Sequence, residues 1–279
     1  MPAAILTNSS DKVRSGAPIA FLDSGVGGLP YLQWVRVHLP EENFIYLADR
    51  EHFPYGPKSP DKVFSAVAGC VEKFITAFAP KLFVLACNTA SVSALERLRR
   101  TFPAQTFVGT VPAVKPAAEC SKNKRIGVLA TNATVHAHYF DSLIETFASG
   151  CTIIRVPGPD IVNFVEKKFF TAAPEEKLRV IAAAVNRFRE EGVDTVVLAC
   201  THFLYLYPEI HAELGGGVRL IDSREGVGRR VINIVSSFGP RAQAPAPRIP
   251  GLYLSGGWSP EPQYAFFAEY FSLELAGTL

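Results

Sequence analysis

A chain of 279 residues, 48% of them hydrophobic, is long enough for one large or two ordinary domains with a sizeable core. Its 28 basic and 26 acidic residues nearly cancel, a balance that does not point to a nucleic-acid partner or an anionic membrane surface. No run approaches the ~18 apolar residues of a membrane span, and residues 1–17 are small and polar without a signal core, so they read as a disordered lead-in.

Residues 19–22 predict a first strand that runs into Asp23-Ser24-Gly25-Val26-Gly27-Gly28, with a helix over 29–37; strand, glycine-rich turn and helix together open an α/β unit. A second strand follows over 44–47. A loop then carries Phe53-Pro54-Tyr55-Gly56-Pro57-Lys58. Ser59-Pro60 reads as the N-cap and first position of a helix whose buried face holds Val63, Val67, Val71, Phe74 and Phe78. Cys70 lies beside that face and reads as a small core residue. A strand over 81–86 delivers Cys87, and a helix runs on to about Arg100. After a strand at 107–109, residues 111–116 form a connection where the chain can change domains.

The pattern then restarts. A strand over 125–130 meets Thr131-Asn132-Ala133-Thr134, which opens a helix through 146. A strand over 151–156 leads through 157–170 into a helix holding Glu166. The helix over 174–191 places Leu178, Ile181, Val185 and Phe188 on one face and stops at Gly192. A strand over 193–199 delivers Cys200. Beyond Asp222-Ser223 come a helix over 225–236, a Pro/Ala-rich link over 239–250, a strand at 252–254 and a last helix; this tail is expected to pack back on the first domain.

The two halves match at two points. The first strands end at Asp23 and Thr131, 108 residues apart, and the cysteine strands end 113 residues apart. A domain-sized period means duplication and not a solenoid. Continuous apolar strands separated by helices mean mostly parallel sheets. The expected fold is therefore two similar α/β domains, 18–112 with 226–279 and 113–225.

The cysteines Cys70, Cys87, Cys120, Cys151 and Cys200 are odd in number and widely spaced, which argues against a disulfide framework and for a reducing cytoplasm. No pair has the short spacing of a zinc site, so no metal is expected. A lone cysteine closing an apolar strand is more often core than catalyst. Two of them, in Leu85-Ala86-Cys87-Asn88-Thr89 and Leu198-Ala199-Cys200-Thr201-His202, reverse that preference, because a duplicated core would repeat the hydrophobics without repeating Cys and its polar followers. A residue at the end of a parallel strand stands in the ligand crevice and at the start of the next helix, where exposed N–H groups favour a thiolate and can hold a carboxylate. Redox exchange lacks its C-x-x-C motif, and a single thiol nucleophile with His202 as base leaves one cysteine idle. Symmetric acid/base work uses both: one thiolate takes a proton from carbon and the other thiol returns one to the opposite face.

These stretches resemble the glutamate racemase family, the cofactor-independent enzymes that interconvert L- and D-glutamate for peptidoglycan. The resemblance rests on Asp23 to Gly28, Pro54-Tyr55-Gly56 with Lys58-Ser59, Cys87-Asn88-Thr89-Ala90, Pro112 to Pro116, Thr131 with Thr134, Val165-Glu166 and Cys200-Thr201-His202, in family order over residues 18–225. It implies that Cys87 deprotonates D-glutamate and Cys200 L-glutamate, with Asp23 assisting Cys87, and Glu166 and His202 assisting Cys200. It implies that Asp23, Ser24, Tyr55, Gly56, Asn88, Thr89, Thr131, Thr134, Thr201 and His202 hold the substrate. It also implies two α/β domains related by pseudo-twofold symmetry around the active site, no cofactor, commonly a homodimer, and the cytoplasm as location. No lysine is marked out as a Schiff-base former, so the carbanion charge must be stabilised electrostatically. The rival readings are a related aspartate racemase and a non-catalytic regulatory binding protein. The aspartate relatives typically have an acidic residue where His202 stands, and retention of both cysteines argues against a binding module. Glu51-His52 and Phe203-Leu204-Tyr205 are not among the stretches that carry the resemblance; the aromatic run is expected to shape the pocket entrance or the domain interface.

Overall fold

Runs of Val, Ile, Leu and Phe become strands when both sheet faces are covered, and here helices cover them. A computed structural model describes residues 16–238, 249–257 and 261–279; most of the predicted lead-in and link lies outside the described residues. The described strands are β1 (Ile19–Asp23), β2 (Phe44–Ala48), β3 (Leu82–Leu85), β4 (Phe107–Gly109), β5 (Arg125–Ala130), β6 (Thr152–Pro157), β7 (Thr195–Ala199), β8 (Arg219–Ile221), β9 (Gly251–Leu254) and β10 (Glu274–Thr278). They form two sheets ordered β10-β9-β2-β1-β3-β4 and β6-β5-β7-β8. Every strand pairing in them is parallel.

The order β2-β1-β3-β4 repeats as β6-β5-β7-β8, so the duplication read in the sequence is a duplication of topology. The tail adds β9 and β10 to the β2 edge of the first sheet. One apolar core runs through both sheets: Phe21, Tyr46 and Val84 share a cluster with Leu129, Val196, Leu198 and Phe203. Full burial of such side chains contributes about 1.5–3 kcal/mol each, so the two halves are held together by the same term that holds each one. No described helix is long and apolar enough to cross a membrane.

The structure departs from the sequence pattern in several places. The connection expected over 111–116 gives way at Val114 to a short helix, Val114–Cys120, packed on the second sheet through Val114, Ala117 and Ala118. The single helix expected after Thr131 is two, Asn132–Val135 and His138–Phe147. The strands β8 and β10 lack a sequence signal; each carries charged or small residues and only partial burial, so the apolar run that marks a central strand is missing. Leu178 is 40% exposed, because it sits near the start of the Pro174–Glu190 helix, ahead of the stretch that buries Ile181, Val185 and Phe188. Ser59 does stand at the N-cap, yet its hydroxyl makes no capping bond.

Candidate active site

In each sheet two adjacent inner strands deliver neighbouring residues to the same edge. In the first sheet, β1 ends at Asp23 and the adjacent β3 runs through Ala86 to Cys87. In the second, β5 ends just before Thr131 and the adjacent β7 ends just before Cys200. Both cysteines occupy N-cap positions in nearly the same extended conformation, φ −141° and ψ 119° at Cys87 and φ −143° and ψ 136° at Cys200. The segments they open are different. Cys87 opens the α-helix Asn88–Thr101, whereas Cys200 opens a 3₁₀ segment, Thr201–Leu206, before a helix resumes at Tyr207 with Pro208 in its first turn. All six residues of that 3₁₀ segment are buried, so bulky Phe203, Leu204, Tyr205 and Leu206 must be accommodated on every side. Tyr205 is tied across the halves by its hydroxyl, which donates to the Val26 carbonyl at 2.7 Å, and its ring packs edge-on to Phe267.

Cys87 and Cys200 line one cleft of about 140 Å³, together with Ser24, Tyr55, Gly56, Asn88, Thr89, Thr131, Thr201 and His202. That space is close to the ~150 Å³ of a cavity that admits benzene, so the ligand it fits is small. Asn88 is 2% exposed, yet neither its amide oxygen nor its amide nitrogen has a partner among the described residues. A buried amide left open on both sides is costly unless a ligand fills it. Across the cleft, the Thr89 and Thr131 hydroxyls meet at 3.0 Å, and Thr131 also donates to Thr134. The Tyr55 hydroxyl is turned to the buried carboxylate of Asp49, which also accepts from Ser255 and His52.

Asp23, Thr134 and Glu166 do not line the cleft; they stand behind its wall and act on groups that do. Asp23 is fully buried. Its carboxylate accepts from Ser24 (3.1 Å), the Gly25 N–H (3.0 Å) and, from the other half, the Thr201 hydroxyl (2.8 Å). Burial outweighs these bonds and the charge of His202, and pushes the Asp23 carboxyl up to about 6. Burial likewise drives the Cys87 thiol well above its ordinary range, with the Asp23 charge adding to it; the N–H groups of Ala90 and Ser24 pull the other way and lose.

The second cysteine has a different neighbourhood. His202 Nδ1 lies 4.0 Å from Cys200 Sγ, and its Nε2 lies 3.0 Å from Glu166 Oε2. Burial alone lowers an imidazole, but the bonds to Cys200 and Glu166 and the charge of Asp23 outweigh it and hold His202 well above its usual value. Glu166 also accepts the Val26 N–H at 3.1 Å and the Tyr264 hydroxyl at 3.1 Å. Each buried acid is thus bonded from the opposite half: Asp23 by Thr201, Glu166 by Val26.

This crossing explains two glycines of the first loop. A Cβ on Gly25 sits 2.5 Å from both Glu166 oxygens, and one on Gly27 sits 2.4 Å from His202 Nδ1 and Thr201 Oγ1. Glycine is required there by close approach, not by its conformation. Tyr264 and Asp49 carry no motif that foretells these contacts, whereas Tyr205 belongs to the aromatic run expected at the pocket entrance or the domain interface; a buried tyrosine needs a partner, and that is the signal that flags Tyr264.

A family model described as Asp/Glu/Hydantoin racemase matches residues 31–225. The glutamate racemase of Sphingopyxis alaskensis is 40% identical, over 91% of this chain and 94% of its own. The glutamate racemase of Treponema pallidum is 37% identical, over 93% of this chain and 96% of its own. Among solved structures, Escherichia coli glutamate racemase, in complex with L-glutamate and the activator UDP-MurNAc-Ala, superposes with a TM-score of 0.83 at 32% identity, covering 94% of this chain and 98% of its own. A glutamate racemase isoform of Bacillus anthracis gives 0.81 at 27% identity, covering 94% and 97%.

Proposed function

Because the chain belongs to the Asp/Glu/hydantoin racemase family, we propose that it interconverts L- and D-glutamate by proton transfer between Cα and two cysteines. The observation that carries this reading is the pair of thiols at mirrored strand ends on one small cleft, each with its own buried acid behind it.

In the L-to-D direction, the Cys200 thiolate removes the Cα proton and the Cys87 thiol gives one to the opposite face. The C–H bond breaks towards sulfur, its electron pair passes into the substrate carboxylate, and the new C–H bond forms from the Cys87 S–H. His202, held protonated between Cys200 and Glu166, stabilises the starting thiolate. Burial and Asp23 hold Cys87 as the thiol that this direction needs. In the reverse direction Asp23 takes the Cys87 proton, and a carboxyl near 6 is suited to that at neutral pH. The developing carbanion is served by polar groups already in position at two segment starts, Asn88-Thr89 and Thr201-His202, together with Ser24 and Thr131. Tyr55, Gly56 and Thr134 complete the holding set, the last through Thr131.

In the cell, racemisation supplies D-glutamate for peptidoglycan, and the chain works in the cytoplasm as a homodimer, each copy built of the lobes 18–112 with 226–279 and 113–225. Circular dichroism of L- or D-glutamate solutions tests the activity without added cofactor. Decay of the signal to zero from either side supports it, and decay with aspartate but not glutamate assigns the chain to the aspartate branch instead.

A further inference from the structure

The carboxylate of Glu166 is shared by donors from three parts of the chain. Oε2 takes His202 and the Val26 N–H, and Oε1 takes the hydroxyl of Tyr264 at 3.1 Å. Tyr264 stands 98 residues from Glu166, on the Pro262–Tyr270 helix between β9 and β10. It is 2% exposed and belongs to the core that runs through both halves. The helix is anchored there by rings: Phe267 packs edge-on to Phe170 at 4.7 Å and to Tyr205 at 5.5 Å. The phenol is therefore delivered to Glu166 by a rigid element, and it donates at the oxygen that His202 leaves open.

We infer that Tyr264 is a positioning residue for the Cys200 side of the reaction: through Glu166 it fixes the orientation and basicity of His202, and among the described residues no tyrosine is bonded to Asp23 in the same way. This rests on the two-thiol reading above. The physical reason is local. A carboxylate held through one oxygen can swing about that anchor. With Tyr264 bonded to the other oxygen, Glu166 keeps one orientation and is a weaker acceptor towards His202, so His202 can accept and return the Cys200 proton without leaving its place. On the Cys87 side the buried acid, Asp23, takes its bonds from Ser24, Gly25 and Thr201, none of them on the C-terminal helix.

The test is Tyr264→Phe, assayed in both directions with glutamate protiated or deuterated at Cα. Because the reaction has an equilibrium constant of one, both directions must lose kcat/KM equally, by about tenfold for a lost bond to a charged group. The isotope effects, however, separate. If the Cys200 transfer alone is slowed, the Cα-deuterium effect on kcat/KM rises for L-glutamate and falls towards one for D-glutamate. Equal changes in the two directions, or an unchanged rate, overturn the inference. Phe267→Leu on the same helix controls for packing and leaves the two isotope effects in their wild-type ratio; if it reproduces the split, the hydroxyl is not the cause. Difluorotyrosine at position 264 keeps the ring in place and strengthens the donor, so a folding defect in the phenylalanine variant does not end the test. It is expected to move the two isotope effects the opposite way, and no movement contradicts the assignment. Wild-type turnover of D-glutamate in D₂O that puts deuterium into the L-glutamate formed, while the remaining D-glutamate stays protiated, separates failure of this inference from failure of the two-thiol reading.

Discussion

Replacing Asp23 by asparagine is expected to abolish racemisation and to stabilise the protein, increasingly so as the pH rises. The sign follows from the direction of the shift. The Asp23 carboxyl stands at about 6 against an ordinary 3.8, because burial costs the charged form more than its bonds recover. The folded chain therefore binds this proton more tightly than the unfolded chain, and stability falls as pH rises through the window between those two values. From pH 5 to pH 8 the wild type loses on the order of 1 kcal/mol from this one group, while asparagine has no charge to lose. At 2–4 °C per kcal/mol, the gap in Tm between Asp23→Asn and wild type should widen by roughly 2–4 °C over that range. His202 acts in the same direction: its folded value is raised, its stabilisation is complete below about 6.5, and it is lost as pH climbs through the folded value. Removing Asp23 removes one of the charges that raise it, so the variant loses no more from His202 than the wild type does. Differential scanning fluorimetry at half-unit pH intervals measures the gap. A gap that stays flat from pH 5 to 8 refutes the claim that burial governs Asp23.

Thr201→Val removes the donor from Asp23 Oδ2 and should cost about 1–3 kcal/mol while moving the acidic limb of kcat/KM to higher pH, equally for D- and L-glutamate; an unmoved limb shows that the crossing bond does not tune Asp23. Gly25→Ala forces a Cβ against a Glu166 carboxylate pinned by three donors, and chemical denaturation should register a loss of about 1–3 kcal/mol. Cys87→Ala and Cys200→Ala should each lower racemisation at least about 10²-fold in both directions. Each variant should keep solvent exchange at Cα with one enantiomer only, L-glutamate for Cys87→Ala and D-glutamate for Cys200→Ala, as read by loss of the Cα proton signal in D₂O.

The frame of this site is legible in the sequence. Apolar runs that break at a cysteine or an aspartate locate strand ends, and the repeat at 23/131 and 87/200 anticipates the repeated strand order. The bonds that distinguish the two cysteines are not. Thr201 reaches Asp23 over 178 residues and Tyr264 reaches Glu166 over 98, and no local pattern encodes a pairing at that range. Glycines 25 and 27 show as a turn-like motif, but their reason is the side chains of the other half. The 3₁₀ segment after Cys200 is hidden because local sequence signals starts of helical turns without separating 3₁₀ from α, and its burial draws on both lobes, with Tyr205 bonded to Val26 and packed on Phe267.

The most direct test of the two-thiol account is the reaction of protiated D-glutamate in D₂O, followed at early times by proton NMR and chiral chromatography. Two separate thiols predict that the first L-glutamate formed carries deuterium at Cα while the remaining D-glutamate is still protiated. L-glutamate that keeps its Cα proton, or no reaction of either enantiomer, contradicts it.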